Sequence, residues 1–166
     1  MQIPFASILI TFFLLLGEFK GTFAAPALTA DQTAALAAHN SARAAKKVPA
    51  LAWDATLASA AQTYAEKLAK TGTFAHSGVA GENLFWESPA GKTPLTDATK
   101  AWLAEAPNYH NEVIPQGSFA QYGHYTQCMW KSTTKVGLGS AKDSKGAAYV
   151  VGRYSPPGNY VGQRPY

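Results

Sequence analysis

Two imidazoles and two carboxylates are the side chains in this sequence best suited to shared chemistry: His76, Glu82, Glu105 and His124. Neutral histidines and acidic oxygens can hold a divalent cation, and the same groups can pass protons to and from a substrate. The four lie in three separate stretches, so either chemistry requires the fold to bring distant segments together. Spacing along the chain does not decide whether it does. No serine or cysteine stands in a recognisable nucleophile motif. The lone thiol, Cys128, reads as a small buried hydrophobe and leaves no partner for a disulfide within the chain.

The elements that must position these groups follow from periodicity and punctuation. Thr29 with Gln32 forms a capping box ahead of an alanine-rich helix running to Lys46, in which Leu36, His39, Asn40 and Arg43 share one side. Val48, Pro49 and Ala50 break it. Asp54 can cap a second helix from about Ala55 to Lys70, ended by Gly72, with Leu57, Ala60, Ala61, Tyr64 and Leu68 as its buried stripe. The stretch from Thr73 to Gly91 is turn-rich, and the short apolar run Asn83 to Trp86 within it is expected to be irregular. Thr93 and Pro94 open a third helix reaching about Glu105, with Trp102 and Leu103 facing inward. Residues 106–122 form a long aromatic loop, a kind that is more often functional than idle. Val136 to Ala141 and Ala147 to Tyr154 read as a hairpin. Early helices and late strands without repeats predict an α+β domain around a mostly antiparallel sheet.

Composition bounds the setting. Ile3 to Leu16 is almost continuously apolar and is followed by Thr22, Phe23 and Ala24, a pattern that suits a signal peptide over residues 1–24 and a secreted product. One domain, residues 25–166, remains, roughly 140 residues and enough for one sizeable core. The net charge of +4 is mild, and the basic residues are scattered, so a nucleic-acid partner is not expected. An anionic membrane or cell-wall surface could attract the chain weakly. With no disulfide available, apolar burial must hold the fold, and a hydrophobic content of 47% allows it.

Four segments together resemble the CAP superfamily of cysteine-rich secretory proteins, antigen 5 and pathogenesis-related class 1 proteins. They are HNSAR at His39 to Arg43, GENL at Gly81 to Leu84, GHYTQCMWKST at Gly123 to Thr133, and VVGRYSPPGNY at Val150 to Tyr160. The resemblance spans nearly all of the chain after the leader, and it implies a three-layer α-β-α sandwich with His76, Glu82, Glu105 and His124 meeting in a central cleft. His76 and His124 would then be the ligands of a divalent ion such as zinc or magnesium, not required for the fold, with Asn83 and Gln127 orienting the cleft. His39, Arg43, Trp53, Trp102 and Trp130 are expected to pack, and His110 stands in no motif. The chain departs from the family at Gly152, where a cysteine is usual, and at Cys128, where an aliphatic residue is usual. Lacking paired cysteines, it looks most like a fungal-type pathogenesis-related class 1 member.

The resemblance further implies a non-catalytic protein that binds sterols or other small lipids such as fatty acids and exports them, in host interaction or defence. Tyr109, Phe119, Tyr122 and Tyr125, in and after the long loop, are the candidate lipid contacts, although their spacing departs from the family's aromatic pattern; ordinary anchoring of the loop is the alternative. The segment Pro156 to Tyr166 resembles a defence peptide released by plant relatives, which makes a peptide precursor the competing function and tail packing the plainer outcome. A metal-dependent hydrolase using Glu82 or Glu105 as base is the third.

Overall fold

The computed structural model describes residues 27–166; the expected signal peptide lies outside the described residues. Among the described residues four α-helices and four strands follow in the order α1 (Ala30–Ala45), β1 (Ala52–Trp53), α2 (Ala55–Thr71), β2 (Glu82–Glu87), α3 (Pro94–Leu103), α4 (Gly123–Cys128), β3 (Lys135–Lys142) and β4 (Ala148–Ser155). The sheet order is β1-β3-β4-β2. β4 pairs antiparallel with both neighbours, and only the short β1 runs parallel to β3, so the α+β expectation holds with a mixed sheet. Helix α2 covers one face; α1, α3 and α4 build the layer on the other.

Local sequence explains most of the elements. Thr29 and Gln32 close a reciprocal capping box on α1, and the Asp54 side chain accepts from the Leu57 amide at the start of α2. Alternate glycines in β3 let α2 lie directly on the sheet. A Cβ at Gly137 would come 2.1 Å from the Ala58 nitrogen, and one at Gly139 would come 2.2 Å from that of Gln62. No side chain fits between the two backbones there, and beside this contact Ala61 and Ala65 of α2 pack with Val151 of β4.

Four expectations change. Asn83 to Trp86 belongs to strand β2 rather than to irregular chain. It is covered on both faces near its start, where Asn83 and Leu84 are both buried, so the alternation that betrays a half-buried strand is missing. Thr93 precedes α3 but makes no side-chain cap; Asp31 of α1 accepts from the Leu95 and Thr96 amides, each at 3.0 Å. A cap supplied across helices leaves no local trace. Helix α3 also stops at Leu103, so that Glu105 sits on the turn beyond it. In α2 the expected stripe is narrower, with Ala60 exposed and Leu57 and Tyr64 half-buried.

The HNSAR segment packs, as expected. Arg43 is fully buried, and all three of its guanidinium nitrogens are used. Nε donates to the Pro49 carbonyl at 2.6 Å, Nη1 to those of Cys128 and Trp130 at 2.8 and 3.0 Å, and Nη2 to that of Thr133 at 2.9 Å. The carbonyls at and just after the end of α4 are thereby satisfied by α1. His39 Nδ1–H donates to the Ala35 carbonyl, which can only accept, so its Nε2 accepts from the Tyr154 hydroxyl at 2.8 Å. Burial lowers the His39 pKa to about 4. The Cys128 thiol beside Tyr154 is also fully buried, and desolvation pushes it up to about 12.

Candidate functional site: a cleft between two histidine–carboxylate pairs

The four expected site residues form two pairs. In the first, Glu82 opens β2 and His76 lies in the turn segment just before it. His76 Nδ1 donates to Glu82 Oε1 at 2.8 Å, and the Ser77 amide donates to the same oxygen at 2.8 Å. Oε2 accepts from the Ser77 hydroxyl at 2.7 Å and pairs with Arg153 Nη2 at 3.0 Å. The Glu82 side chain is 1% exposed, whereas the His76 ring is 60% exposed.

The second pair rests on a helix end. Glu105, on the turn after α3, places Oε2 over the start of α4, where it accepts from the His124 and Tyr125 amides at 3.0 and 3.1 Å. Those amides belong to the first turn of a helix and have no partner within it, and a carboxylate suits the positive end of the helix dipole. Oε1 accepts from His124 Nδ1 at 2.7 Å. The imidazole also stacks on Trp102, with centroids 6.4 Å apart and planes 25° off parallel. Trp102 is fixed in turn by its Nε1–H, which donates to the Leu84 carbonyl at 3.0 Å.

The two pairs flank a cleft of about 320 Å3 lined by His76, Glu82, Asn83, Phe119, His124 and Asn159. Glu105 stands behind His124 and is not part of the lining. Asn83 spans between strand and helix: its amide donates to the His124 carbonyl at 3.0 Å. Gln127 accepts from the Gly158 amide at 2.9 Å and, with His76, Glu82 and Phe119, lines a pocket adjoining the cleft. Sequence reasoning missed Ser77, Arg153 and Asn159. Arg153 reaches Glu82 because the two are opposite one another in the β2–β4 register, and a register between strands seventy residues apart is not written locally.

The donor set determines what the cleft can hold. Because each carboxylate can only accept, the hydrogen bond from each Nδ1 means that this nitrogen carries a proton, so that on a neutral ring the lone pair lies on Nε2. Histidine oriented by a carboxylate is the usual arrangement behind a metal-binding imidazole. The carboxylate oxygens are already occupied by donors, and among the described residues no group of three or more His, Cys, Asp or Glu forms a metal cage. With two imidazoles and no carboxylate oxygen left to join them, the cleft does not fit a closed structural zinc site. An ion bound there would polarise a coordinated water. Cys128 is buried, and the Ser77 hydroxyl is committed to Glu82 while accepting from Arg153 and the Val79 amide.

The aromatic loop differs from its expected role. Phe119 lines the cleft, but Tyr109, Tyr122 and Tyr125 are buried in the core, with Tyr109 at centroid distances of 5.3 and 6.1 Å from the other two. Their hydroxyls are engaged within the protein: Tyr109 donates to the Glu112 carbonyl, Tyr122 to that of Gln116, and Tyr125 bonds Tyr166. These three tyrosines anchor the loop and offer no open surface to a ligand.

The tail is also tied down. Thr133 donates to the Pro156 carbonyl, Thr126 to the Asn159 side chain, and Lys131 to the Pro165 carbonyl; Ile114 exchanges backbone bonds with Gly162 and Gln163. Ser155 is the last residue of β4 and accepts from the Thr134 amide. Release of Pro156 to Tyr166 would require these contacts to open first.

The profile of the cysteine-rich secretory protein family matches residues 36–154, a span that runs from α1 to the end of β4 and contains all four cleft residues. The chain belongs to the CAP family. Among its relatives, pathogenesis-related leaf protein 4 of Solanum lycopersicum is 40% identical over 131 residues, 79% of this chain and 80% of that one. The pathogenesis-related protein PR-1 of Medicago truncatula is 44% identical over 133 residues, 76% of this chain and 74% of that one. Among solved structures, that of NaASP2 with Zn2+ superposes with a TM-score of 0.69 at 27% identity, covering 84% of this CAP chain and 86% of the other. The hookworm platelet inhibitor shares the fold, with a TM-score of 0.68 at 22% identity over 86% of this chain and 79% of that one.

Proposed function

We propose that this CAP protein is a secreted, non-catalytic carrier of a small hydrophobic lipid, a sterol or a fatty acid, acting in defence or host interaction. The observation that carries the reading is an apolar groove of about 600 Å3 where the end of α2 meets the β2 edge, lined by Gly72, Phe74, Leu84, Trp86 and Tyr149. Its volume lies within the range of small-molecule sites. Phe74 and Trp86 are 52% and 47% exposed, and covering two large aromatics is the favourable term that a lipid would supply. On this reading lipid contact falls at this groove, away from the buried Tyr109, Tyr122 and Tyr125. The oxygens of Glu82 and Glu105 already accept from amides, imidazoles, the Ser77 hydroxyl and Arg153, which supports a binding role over hydrolysis with either carboxylate as base, and the relatives named as pathogenesis-related support the defence setting. A divalent ion at His76 and His124 is a separate proposal, supported by their free Nε2 atoms; a solved structural relative is NaASP2 with Zn2+.

Binding of labelled cholesterol, ergosterol and palmitate to purified protein tests the carrier reading. At least one should bind at micromolar concentration, Trp86→Ala should weaken it, and Phe119→Ala should leave it unchanged. No binding of any of the three would sink the reading, and loss with Phe119→Ala alone would return the site to the cleft.

A further inference from the structure

Arg153 and Arg43 are both buried arginines, and only one of them is solvated by the protein. Arg43 spends every nitrogen on carbonyl oxygens. Arg153 is 7% exposed, uses Nη2 alone, and leaves Nε and Nη1 as the only buried side-chain polar atoms without a partner among the described residues. Its Cζ lies 5.5 Å from the centroid of the Tyr64 ring, an aromatic face that accepts charge but satisfies no N–H in its plane. A guanidinium desolvated with most of its donors idle is a poor stabilising device. What it does accomplish is at Nη2.

That nitrogen donates to Glu82 Oε2 at 3.0 Å and to Ser77 Oγ at 3.1 Å, and Ser77 Oγ donates to the same Oε2. The three atoms close a triangle that fixes the plane of the Glu82 carboxylate. With Oε2 held, Oε1 is left facing the Ser77 amide and His76 Nδ1. One residue before His76, the Ala75 carbonyl is pinned by the Tyr64 hydroxyl at 2.8 Å, so the ring on which Arg153 rests also anchors the chain that carries the histidine. His76 itself is the more exposed imidazole of the cleft and has no aromatic stack such as Trp102 gives His124. Its orientation depends on Glu82.

We propose that Arg153 is a positioning residue of the cleft: through Glu82 and Ser77 it holds His76 in the Nδ1–H tautomer and presents Nε2 to whatever the cleft binds. Only the zinc arm of the test rests on the reading of His76 as an ion ligand. The tautomer arm stands without it.

Long-range 1H–15N spectra of 15N-labelled protein, recorded with the imidazoles neutral, report the tautomer of each histidine. Wild type should show His76 and His124 both in the Nδ1–H form. Arg153→Gln should move His76 toward the Nε2–H form that an unconstrained imidazole favours and leave His124 unchanged in the same spectrum. Zinc titration should then give an affinity for Arg153→Gln about 10- to 100-fold weaker than wild type. If wild type binds no zinc, the ion reading fails and the tautomer result still decides the role of Arg153. A folded Arg153→Gln protein whose His76 keeps the Nδ1–H form overturns the proposal. Should that variant not fold, Ser77→Ala, which removes one corner of the triangle from an exposed turn, must shift His76 in the same direction, and an unchanged His76 there overturns it equally.

Discussion

The two sides of the cleft solve one problem by different means. On one side Glu105 is held by the amide groups at the start of α4, and His124 by Glu105 and Trp102. Those amides exist because α4 begins there, and they need a partner in any case. On the other side no helix starts, and Glu82 is held by a serine turn and by a cation brought from the far strand of the register. The backbone solution is inexpensive and rigid. The side-chain solution buries a charge pair, leaves donors idle on Arg153, and depends on four side chains being present together.

The comparison breaks if both sides respond alike to loss of their supports. The largest expected effect is Arg153→Met, which leaves a Glu82 side chain of 1% exposure facing no cation and should cost about 3–5 kcal/mol. Urea unfolding measures it. Adding Glu82→Leu should regain most of that loss, since removing both ends of a buried pair is often close to neutral; a double variant as weak as the single one would mean that the pair stabilises the fold outright.

Next comes an acid sensitivity that neither side of the cleft causes. His39 must shed its proton to fold, so between the usual 6.5 and about 4 the unfolded chain binds one proton more than the folded one. Stability should be undiminished by this group above pH 6.5 and fall by roughly 1.4 kcal/mol per pH unit through that window, levelling below it. Unfolding curves for wild type and His39→Gln compared across the window should differ in slope by this amount; parallel slopes would remove His39 as the cause.

Glu105→Gln should be milder, about 1–2 kcal/mol in the same urea assay, because the amide oxygen can still accept from the α4 amides while the helix loses its anionic cap and His124 its acceptor. A loss as large as that of Arg153→Met would erase the distinction between the two supports. Smallest of all, His76→Ala removes a ring that is 60% exposed and should change stability by no more than about 0.5 kcal/mol. The same variant should abolish zinc binding by calorimetry if the two imidazoles are the ligands.

How legible the molecule was from its sequence follows the same division. Capping at Thr29 and Asp54, the hairpin of β3 and β4, and the packing of His39, Arg43 and Cys128 are local or motif-bound, and they were readable. The positions His76, Glu82, Glu105 and His124 were legible through the resemblance, because spacing does not reveal that a turn after α3 reaches the start of α4. Arg153, Ser77 and the trans cap from Asp31 were not legible, since each depends on which residues the register and helix packing place opposite one another. The aromatic loop misled for a related reason: tyrosines suited to a ligand are equally suited to each other, and only the burial of Tyr109, Tyr122 and Tyr125 separates the two.

Strand β4 lies between β3 and β2, yet it is the last of the four strands in chain order. During synthesis β2 therefore has no pairing partner among the described residues until residues 148–155 have been made, and Glu82 waits with it for Arg153. The sheet cannot close progressively from its N-terminal end. Assembly of the Glu82 side of the cleft is thereby left to the moment when the final strand arrives.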